Sequence, residues 1–434
     1  MADVDEGRML SVVVIGAGQA GLSAAYYLAA RGLEPWRDFV VLDANDGPGG
    51  AWRHRWDSLT FGRAHGIHPL PAGPLDDPDP TEPANRVVPR YYGEYERRFA
   101  LPVRRPARAV SVRRVEGGFE VEVEVGQARR ERLVAASVIN ATGTWDSPYL
   151  PFYRGADRFA GVQLHTHDFR SADAFAGGRV LVVGGGTSAL QFVQELHAHG
   201  VDTVWSTRRA PQWVDRPFDP DWGLEVERSV SARTRVGLPP LSVSAATGLP
   251  LNDLYRPDVA AGVLVSRGPL VSLTADGAVL DGPGPDGAGY PTQGAADAVV
   301  DPPRVERLPG RAVPPVPERD RPQGARDEGR ARTSTLWEAP IDAVLWATGF
   351  RAHIPHLRPL ALREAGGGIL MGDDGVTVER VPGLFMAGYG ASASTLGATR
   401  AGRKAAMDAL RFTAQGSFAQ GQGEQDAAAV ASVA

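Results

Sequence analysis

The sequence predicts an α/β fold with two strand–turn–helix–strand units, each on a parallel central sheet, and additional antiparallel strands. Three observations carry this. A glycine turn, Gly16-Ala17-Gly18-Gln19-Ala20-Gly21, follows a short apolar run. A second turn, Gly184-Gly185-Gly186-Thr187-Ser188-Ala189, follows another. Two apolar segments end alike in Ala-Thr-Gly, at 141–143 and 347–349.

Val12 to Ile15 is wholly apolar, as a buried parallel strand should be. After the first turn, Ala24, Ala25, Leu28 and Ala29 recur at helical spacing and Gly32 offers a stop. Phe39 to Leu42 is a second apolar strand, ending at Asp43. Phe119 to Val125 alternates apolar and acidic residues and pairs naturally with Leu133 to Ile139 as a half-exposed antiparallel pair. Arg179 to Val183, a helix carrying Leu190, Val193 and Leu196, and Val201 to Ser206 repeat the first design. Residues 280–330 are rich in Pro, Gly, Asp and Arg and read as an irregular insertion. Residues 414–434 read as a disordered tail.

A chain of 434 residues is long enough for two domains. It contains no cysteine, which excludes disulfides, thiolate zinc sites and redox dithiols. A net charge of −5 gives no reason to expect nucleic acid or an anionic membrane. The acidic start lacks the features of a secretory signal, and no apolar run approaches a membrane span, so the expected location is the cytoplasm.

The glycine turns carry the chemistry. Gly16 permits the tight turn, Gly18 leaves room for a pyrophosphate, and Gly21 allows close helix–strand packing, with Asp43 placed to accept ribose hydroxyls. An acid at that position suits the unphosphorylated ribose of FAD. The second turn offers Gly184, Gly186, Thr187 and Ser188, and its second strand runs into Thr207, Arg208 and Arg209 instead of an acid. Guanidinium groups there suit a 2′-phosphate, hence NADPH; the alternative is a solvated surface pair. Gly50 and Trp52 lie on a turn-rich loop that could return over the flavin, Trp52 being equally readable as core. Thr142 and Gly143, Thr348 and Gly349, and Gly388 are expected near the cofactors, the two Ala-Thr-Gly ends converging on one of them. Two dinucleotide sites point to hydride transfer from NADPH to flavin. His165, His167 and Asp168 could suggest a metal, but nothing nearby supplies further ligands, and no metal is expected.

With these motifs in place, the chain resembles the class B flavin monooxygenases. The resemblance rests on the order of the glycine turns, Gly49-Gly50-Ala51-Trp52, Ala141-Thr142-Gly143 with Pro148 and Pro151, and Ala347-Thr348-Gly349-Phe350. It rests above all on Phe159, Gly161, His165 and Phe169, which fit the family fingerprint. The resemblance covers about residues 10–225 and 340–412. It implies reduction of FAD by NADPH, oxygen addition at flavin C4a, and transfer of one oxygen to a small nucleophile. Phe169, where Baeyer–Villiger members usually carry Trp, tilts the expectation toward N- or S-oxygenation. The stretch that reads as the crossing into the second domain gives Phe159, Gly161 and His165 a linker role. Many members place an asparagine near C4a; residues 58–70, SLTFGRAHGIHPL, contain none. Thr60, Arg63, His65 and His68 stand in its place, with Arg63 and His65 the candidate catalytic pair. Tyr389 follows Gly388 where related reductases often have an acid, and a helix is expected from about Gly397 to Leu410.

The expected layout is therefore an FAD domain at 1–165, an NADPH domain at 166–335, a second FAD segment at 336–413 and the tail. The expected partners are a small-molecule substrate and O2, with a homodimer left open. The alternative is a non-oxygenating NADPH-dependent flavin reductase or NADPH oxidase.

Overall fold

A computed structural model describes residues 8–64, 67–126, 129–215, 228–240, 247–284, 336–390 and 395–431. The chain divides into two compact units. The first comprises Met1–Ser147, Val230–Pro240 and Ala352–Ala434; the second comprises Pro148–Ser229 and Leu241–Arg351.

The first unit is built on a seven-stranded sheet. Its strands are β1 (Met9–Ile15), β2 (Phe39–Leu42), β3 (Val103–Arg104), β4 (Ala107–Val115), β5 (Gly118–Val125), β6 (Arg129–Asn140) and the short strand Leu384–Met386. The order is β3-β2-β1-β6-β5-β4, and Leu384–Met386 also pairs with β6. β1 is parallel to β2 and β6, and Leu384–Met386 is parallel to β6, whereas β4, β5 and β6 are antiparallel. β6 reaches both halves because of its length: residues up to Ala135 face β5 and residues from Val138 face Leu384–Met386. The alternation along β5 buries Phe119, Val121 and Val123 and leaves Glu120, Glu122 and Glu124 partly exposed, as expected of a sheet with one wet face.

Helix α1 (Gln19–Ala30) packs its small residues against the C-terminal helix, Thr395–Ala431. A Cβ on Gly402 would fall 2.2 Å from the Ala20 carbonyl oxygen, so glycine sets the spacing. Ser23 Oγ donates to the Thr399 carbonyl at 2.8 Å and Gln19 Nε2 to Thr399 Oγ1 at 2.8 Å. The helix starts near the expected place but runs to Ala431 through residues read from sequence as a disordered tail. The alanine and glutamine content of that stretch favours helix once it is nucleated.

The second unit holds a parallel sheet ordered β7-β15-β8-β9: β7 (Val162–His165), β8 (Arg179–Val183), β9 (Asp202–Ser206) and β15 (Ala343–Trp346). Helix α3 (Thr187–Ala198) follows β8. β10 (Trp213–Val214) and β11 (Leu249–Pro250) form a small parallel pair. β12 (Leu270–Leu273), β13 (Gly277–Asp281) and β14 (Leu336–Pro340) form an antiparallel sheet. Most of the 280–330 insertion lies outside the described residues.

The unit boundaries differ from those read off the motifs, 165/166 and 335/336. β7 hydrogen-bonds to β15, and β15 to β8, so everything from Pro148 to β7 and from β14 to Arg351 belongs to the second unit. Val230–Pro240 joins the first unit through backbone bonds, Met371 N–H to the Thr234 carbonyl at 3.1 Å and Gly368 N–H to the Gly237 carbonyl at 3.0 Å.

Candidate functional site: two glycine turns, each clasped by an Ala-Thr-Gly end

In the first unit, the backbone of β1 runs straight into the turn. Gly16 N–H donates to the Leu42 carbonyl at 2.7 Å, and Ala141 N–H donates to the Ile15 carbonyl at 2.7 Å. Gly16 has φ +103, and a Cβ there would lie 2.5 Å from the Ala141 carbonyl oxygen. A Cβ on Gly21 would lie 1.8 Å from the Gly16 carbonyl oxygen. A Cβ on Gly18 would meet nothing within 4 Å. Two glycines are therefore needed for packing, and the third leaves an open approach to the first turn of α1, where unpaired N–H groups favour an anion.

The second unit repeats this. Gly184 N–H donates to the Ser206 carbonyl at 3.0 Å and Ala347 N–H to the Val183 carbonyl at 2.8 Å. A Cβ on Gly184 would fall 2.2 Å from the Ala347 carbonyl oxygen, and the space over Gly185 is open. Thr187 and Ser188 open α3 beyond Gly186, with Ser188 exposed.

The two Ala-Thr-Gly ends, alike in sequence, belong to different units. Each closes on its own glycine turn, because β6 pairs with β1 and β15 with β8. Each is fastened the same way. Thr142 Oγ1 donates to the His353 carbonyl at 2.6 Å, while His353 N–H donates to the Gly143 carbonyl at 2.9 Å. Thr348 Oγ1 donates to the Tyr149 carbonyl, while Tyr149 N–H donates to the Gly349 carbonyl at 2.9 Å. The two threonine hydroxyls, expected to face a cofactor, are thus held by the clasp. Gly143 and Gly349, both with open space around a would-be Cβ and φ +64 and +76, remain approachable.

Polar groups surround the first clasp. His353 Nδ1 lies 2.8 Å from Ser147 Oγ, and His356 Nε2 lies 2.7 Å from Asn140 Oδ1. Burial, with His353 nearby, pushes the His356 imidazole down to about 4, so it is neutral and donates to Asn140. Asp43 is buried, and its carboxylate accepts from Arg105 Nε at 2.6 Å and from Asn45 Nδ2 at 3.1 Å. Arg105 also holds Glu96 through both terminal nitrogens, at 2.6 and 2.7 Å. The expected ribose acid is thus braced by a buried ion network that sequence reading missed, since Arg105 and Glu96 carry no motif.

Gly50 rests on the first turn: a Cβ there would lie 3.0 Å from Gly18 Cα. The short 3-10 helix Gly50–His54 follows, with Trp52 half-buried against the core of the first unit. The core reading of Trp52 therefore has direct support. Arg63 ends another 3-10 turn, Phe61–Arg63. His65 lies outside the described residues. The His68 carbonyl accepts from Gln19 Nε2 at 3.0 Å, tying that loop to the start of α1. Gly388 has φ +91 with open space around it, but Tyr389 turns into the core, where its hydroxyl accepts from Ile369 N–H at 3.1 Å.

At the second turn, Thr207 points inward. It is buried, with Oγ1 2.6 Å from both the Arg209 carbonyl and Ser266 Oγ. Arg208 and Arg209 are exposed and form no ion pair among the described residues. His165 is buried, its Nδ1 accepts from His167 N–H at 3.0 Å and its Nε2 lies 3.1 Å from the Gly349 carbonyl. Both ring nitrogens are occupied, and among the described residues no cluster could hold a metal. Phe159 and Phe169 pack inside the second unit, and a Cβ on Gly161 would fall 2.2 Å from the Asp342 carbonyl oxygen. The fingerprint stretch is therefore internal to the second unit and lies after the boundary at Ser147, not a linker as expected. Among the described residues no helix is long and apolar enough to cross a membrane.

A family model described as pyridine nucleotide-disulphide oxidoreductase matches residues 13–228. The match spans both glycine turns; the chain's lack of cysteine separates it from the dithiol chemistry in that description. The uncharacterized oxidoreductase CzcO of Bacillus velezensis is 29% identical over 211 residues, 48% of this chain and 59% of that protein. The indole-3-pyruvate monooxygenase YUCCA1 of Oryza sativa subsp. japonica is 33% identical over 195 residues, 43% of this chain and 45% of that protein. The chain thus spans about half the length of the curated relatives it matches. The structure of a doubly substituted flavin monooxygenase from Stenotrophomonas maltophilia superposes with a TM-score of 0.67 at 30% identity, covering 94% of this chain and 99% of that one. With full-length similarity to that structure and both turns built as described, the chain belongs to the class B flavin monooxygenases.

Proposed function

We propose that the protein is an NADPH- and FAD-dependent monooxygenase acting on a small nucleophilic substrate, with N- or S-oxygenation preferred. The observation that carries this is the pair of clasped turns, each with one glycine open to a ligand and the others required for packing. The first turn fits FAD: open backbone at Gly18, a buried acid at Asp43 and an approachable Gly143. The second fits NADPH: open backbone at Gly185 and two exposed guanidinium groups, Arg208 and Arg209, for a 2′-phosphate.

A bound flavin, reduced by the nicotinamide, supplies the electrons that activate O2. The residues of this chain bind, orient and shield. The α1 start would hold phosphate, Arg105 and Asn45 fix the Asp43 carboxylate, and the clasp keeps Gly143 in place. His356 stays neutral and holds the Asn140 side chain at the end of β6. Arg63 and His65 are the candidates for hydrogen bonding at the reacting end.

A second reading, an NADPH oxidase, is favoured by the absence of asparagine from residues 58–70. One experiment decides. The FAD-loaded protein is reduced with NADPH without oxygen, then oxygen is admitted with candidate amines or sulfides. Oxygenated product formed in near-stoichiometric yield with NADPH supports the monooxygenase. Stoichiometric free hydrogen peroxide with every substrate leaves the oxidase, and failure of NADPH to bleach the flavin removes both.

A further inference from the structure

Arg55 is a partly buried cation that forms no ion pair among the described residues. It follows the 3-10 helix Gly50–His54, whose first residue rests on Gly18. Its guanidinium carbon lies 4.2 Å from the Trp145 ring centroid and 5.6 Å from that of Trp52. Trp145 stands two residues beyond Gly143, at the carboxyl end of β6, the edge of a parallel sheet where ligands bind. The Arg55 Nε is buried and has no hydrogen-bond partner among the described residues. Burial pushes its pKa down to about 10, still high enough to keep it charged at neutral pH. Two indole faces attract a cation, but they accept no N–H bond of ordinary strength and leave the buried Nε–H unsatisfied. Two other arginines buried in the first unit have carboxylates: Arg104 pairs with Glu131, and Arg105 with Asp43 and Glu96.

We propose that Arg55 is the oxyanion receptor of the flavin site, held by Trp52 and Trp145 for a planar two-oxygen acceptor of carboxylate or phosphate type. The shared chemistry has two sources, the cofactor's pyrophosphate or the acid group of a substrate. The inference rests on the flavin reading of the first unit.

The test compares wild type, Arg55→Met and Arg55→Lys, each as apoprotein and FAD-loaded protein. Thermal melting, FAD affinity by fluorescence titration, and the shift of the flavin spectrum on adding benzoate are measured. Apo Arg55→Met is expected to melt at or above the wild-type temperature, because an unpaired charge leaves the interior. A fall in FAD affinity of tenfold or more assigns the cofactor as the source. Unchanged FAD affinity with loss of the benzoate shift assigns an acid substrate. Arg55→Lys, which keeps the charge but not the planar fork, recovers part of either loss. Unchanged FAD affinity, with the benzoate shift unaltered or absent already in wild type, overturns the proposal. So does lost binding with a lower melting temperature that Arg55→Lys does not reverse, which marks a packing role. Wild type that binds no FAD at all fails the flavin reading itself, a distinct result.

Discussion

The two glycine turns share one backbone design and differ in where their charges sit. The first is backed by buried charges: Asp43, Arg105 and Glu96 have side chains only 6%, 11% and 13% exposed. The second ends in two exposed arginines on a buried Ser206-Thr207 shoulder. A buried network is already organised before any ligand arrives, and it tolerates little change, because removing one member strands the others. Exposed arginines cost little to keep and act mainly when a phosphate lies beside them. On the proposed function, the first site would hold one cofactor firmly and the second would select a passing one by charge.

The largest expected effect falls on the buried side. Arg105→Met leaves Asp43 and Glu96 without their cation, at a cost of about 3–5 kcal/mol in urea unfolding of the first unit. A cost below about 1 kcal/mol would show that the network does not brace the site.

The next expected effect is a pH dependence. His356 has a folded pKa of about 4 against an ordinary 6.5. The folded state binds fewer protons than the unfolded one between these values, so stability is full above pH 6.5 and is lost as pH falls toward 4. The loss amounts to about 3 kcal/mol. His356→Asn should flatten this part of the stability profile; an unchanged profile removes the assignment. His165, lowered in the same direction by burial, should act likewise beside the second clasp.

The backbone comparison is sharpened by Gly21→Ala and Gly184→Ala, whose added methyls meet carbonyl oxygens at 1.8 and 2.2 Å. Each should cost about 1–3 kcal/mol by overpacking. The first should weaken flavin retention and the second NADPH binding. Equal damage to both ligands from either variant would contradict two separate clasps. The smallest effect is expected at the surface: Arg208→Ala or Arg209→Ala should raise KM for NADPH about tenfold, a loss of ~1.4 kcal/mol, and leave NADH unchanged. Equal effects on both would end the charge-selection argument.

Much of the fold was legible because its signals are local. Apolar runs before Gly16 and Gly184, and the alternation along Phe119–Val125, each follow from contacts within a few residues, and the strands formed where expected. The boundaries were not legible, since they depend on which strands pair. Strand β15 looks like a copy of the end of β6, yet it hydrogen-bonds to β7 and β8. The hydrogen bonds of Thr142, Thr348 and Thr207 were not legible either, since hydroxyls serve a protein group as readily as a ligand, and their partners lie about 200 or about 60 residues away.

By itself the sequence determined the two turns, their glycines, the acid at 43 and the arginines at 208 and 209, because steric room and charge belong to the residue types themselves. Only the tertiary structure decided that each Ala-Thr-Gly end clasps its own turn, that Asp43 is braced by Arg105, and that the Arg55 Nε is buried without a hydrogen-bond partner among the described residues. Those are long-range facts: they arise when segments far apart in the chain bury each other's polar groups, and one sequence read locally holds no record of which segments meet.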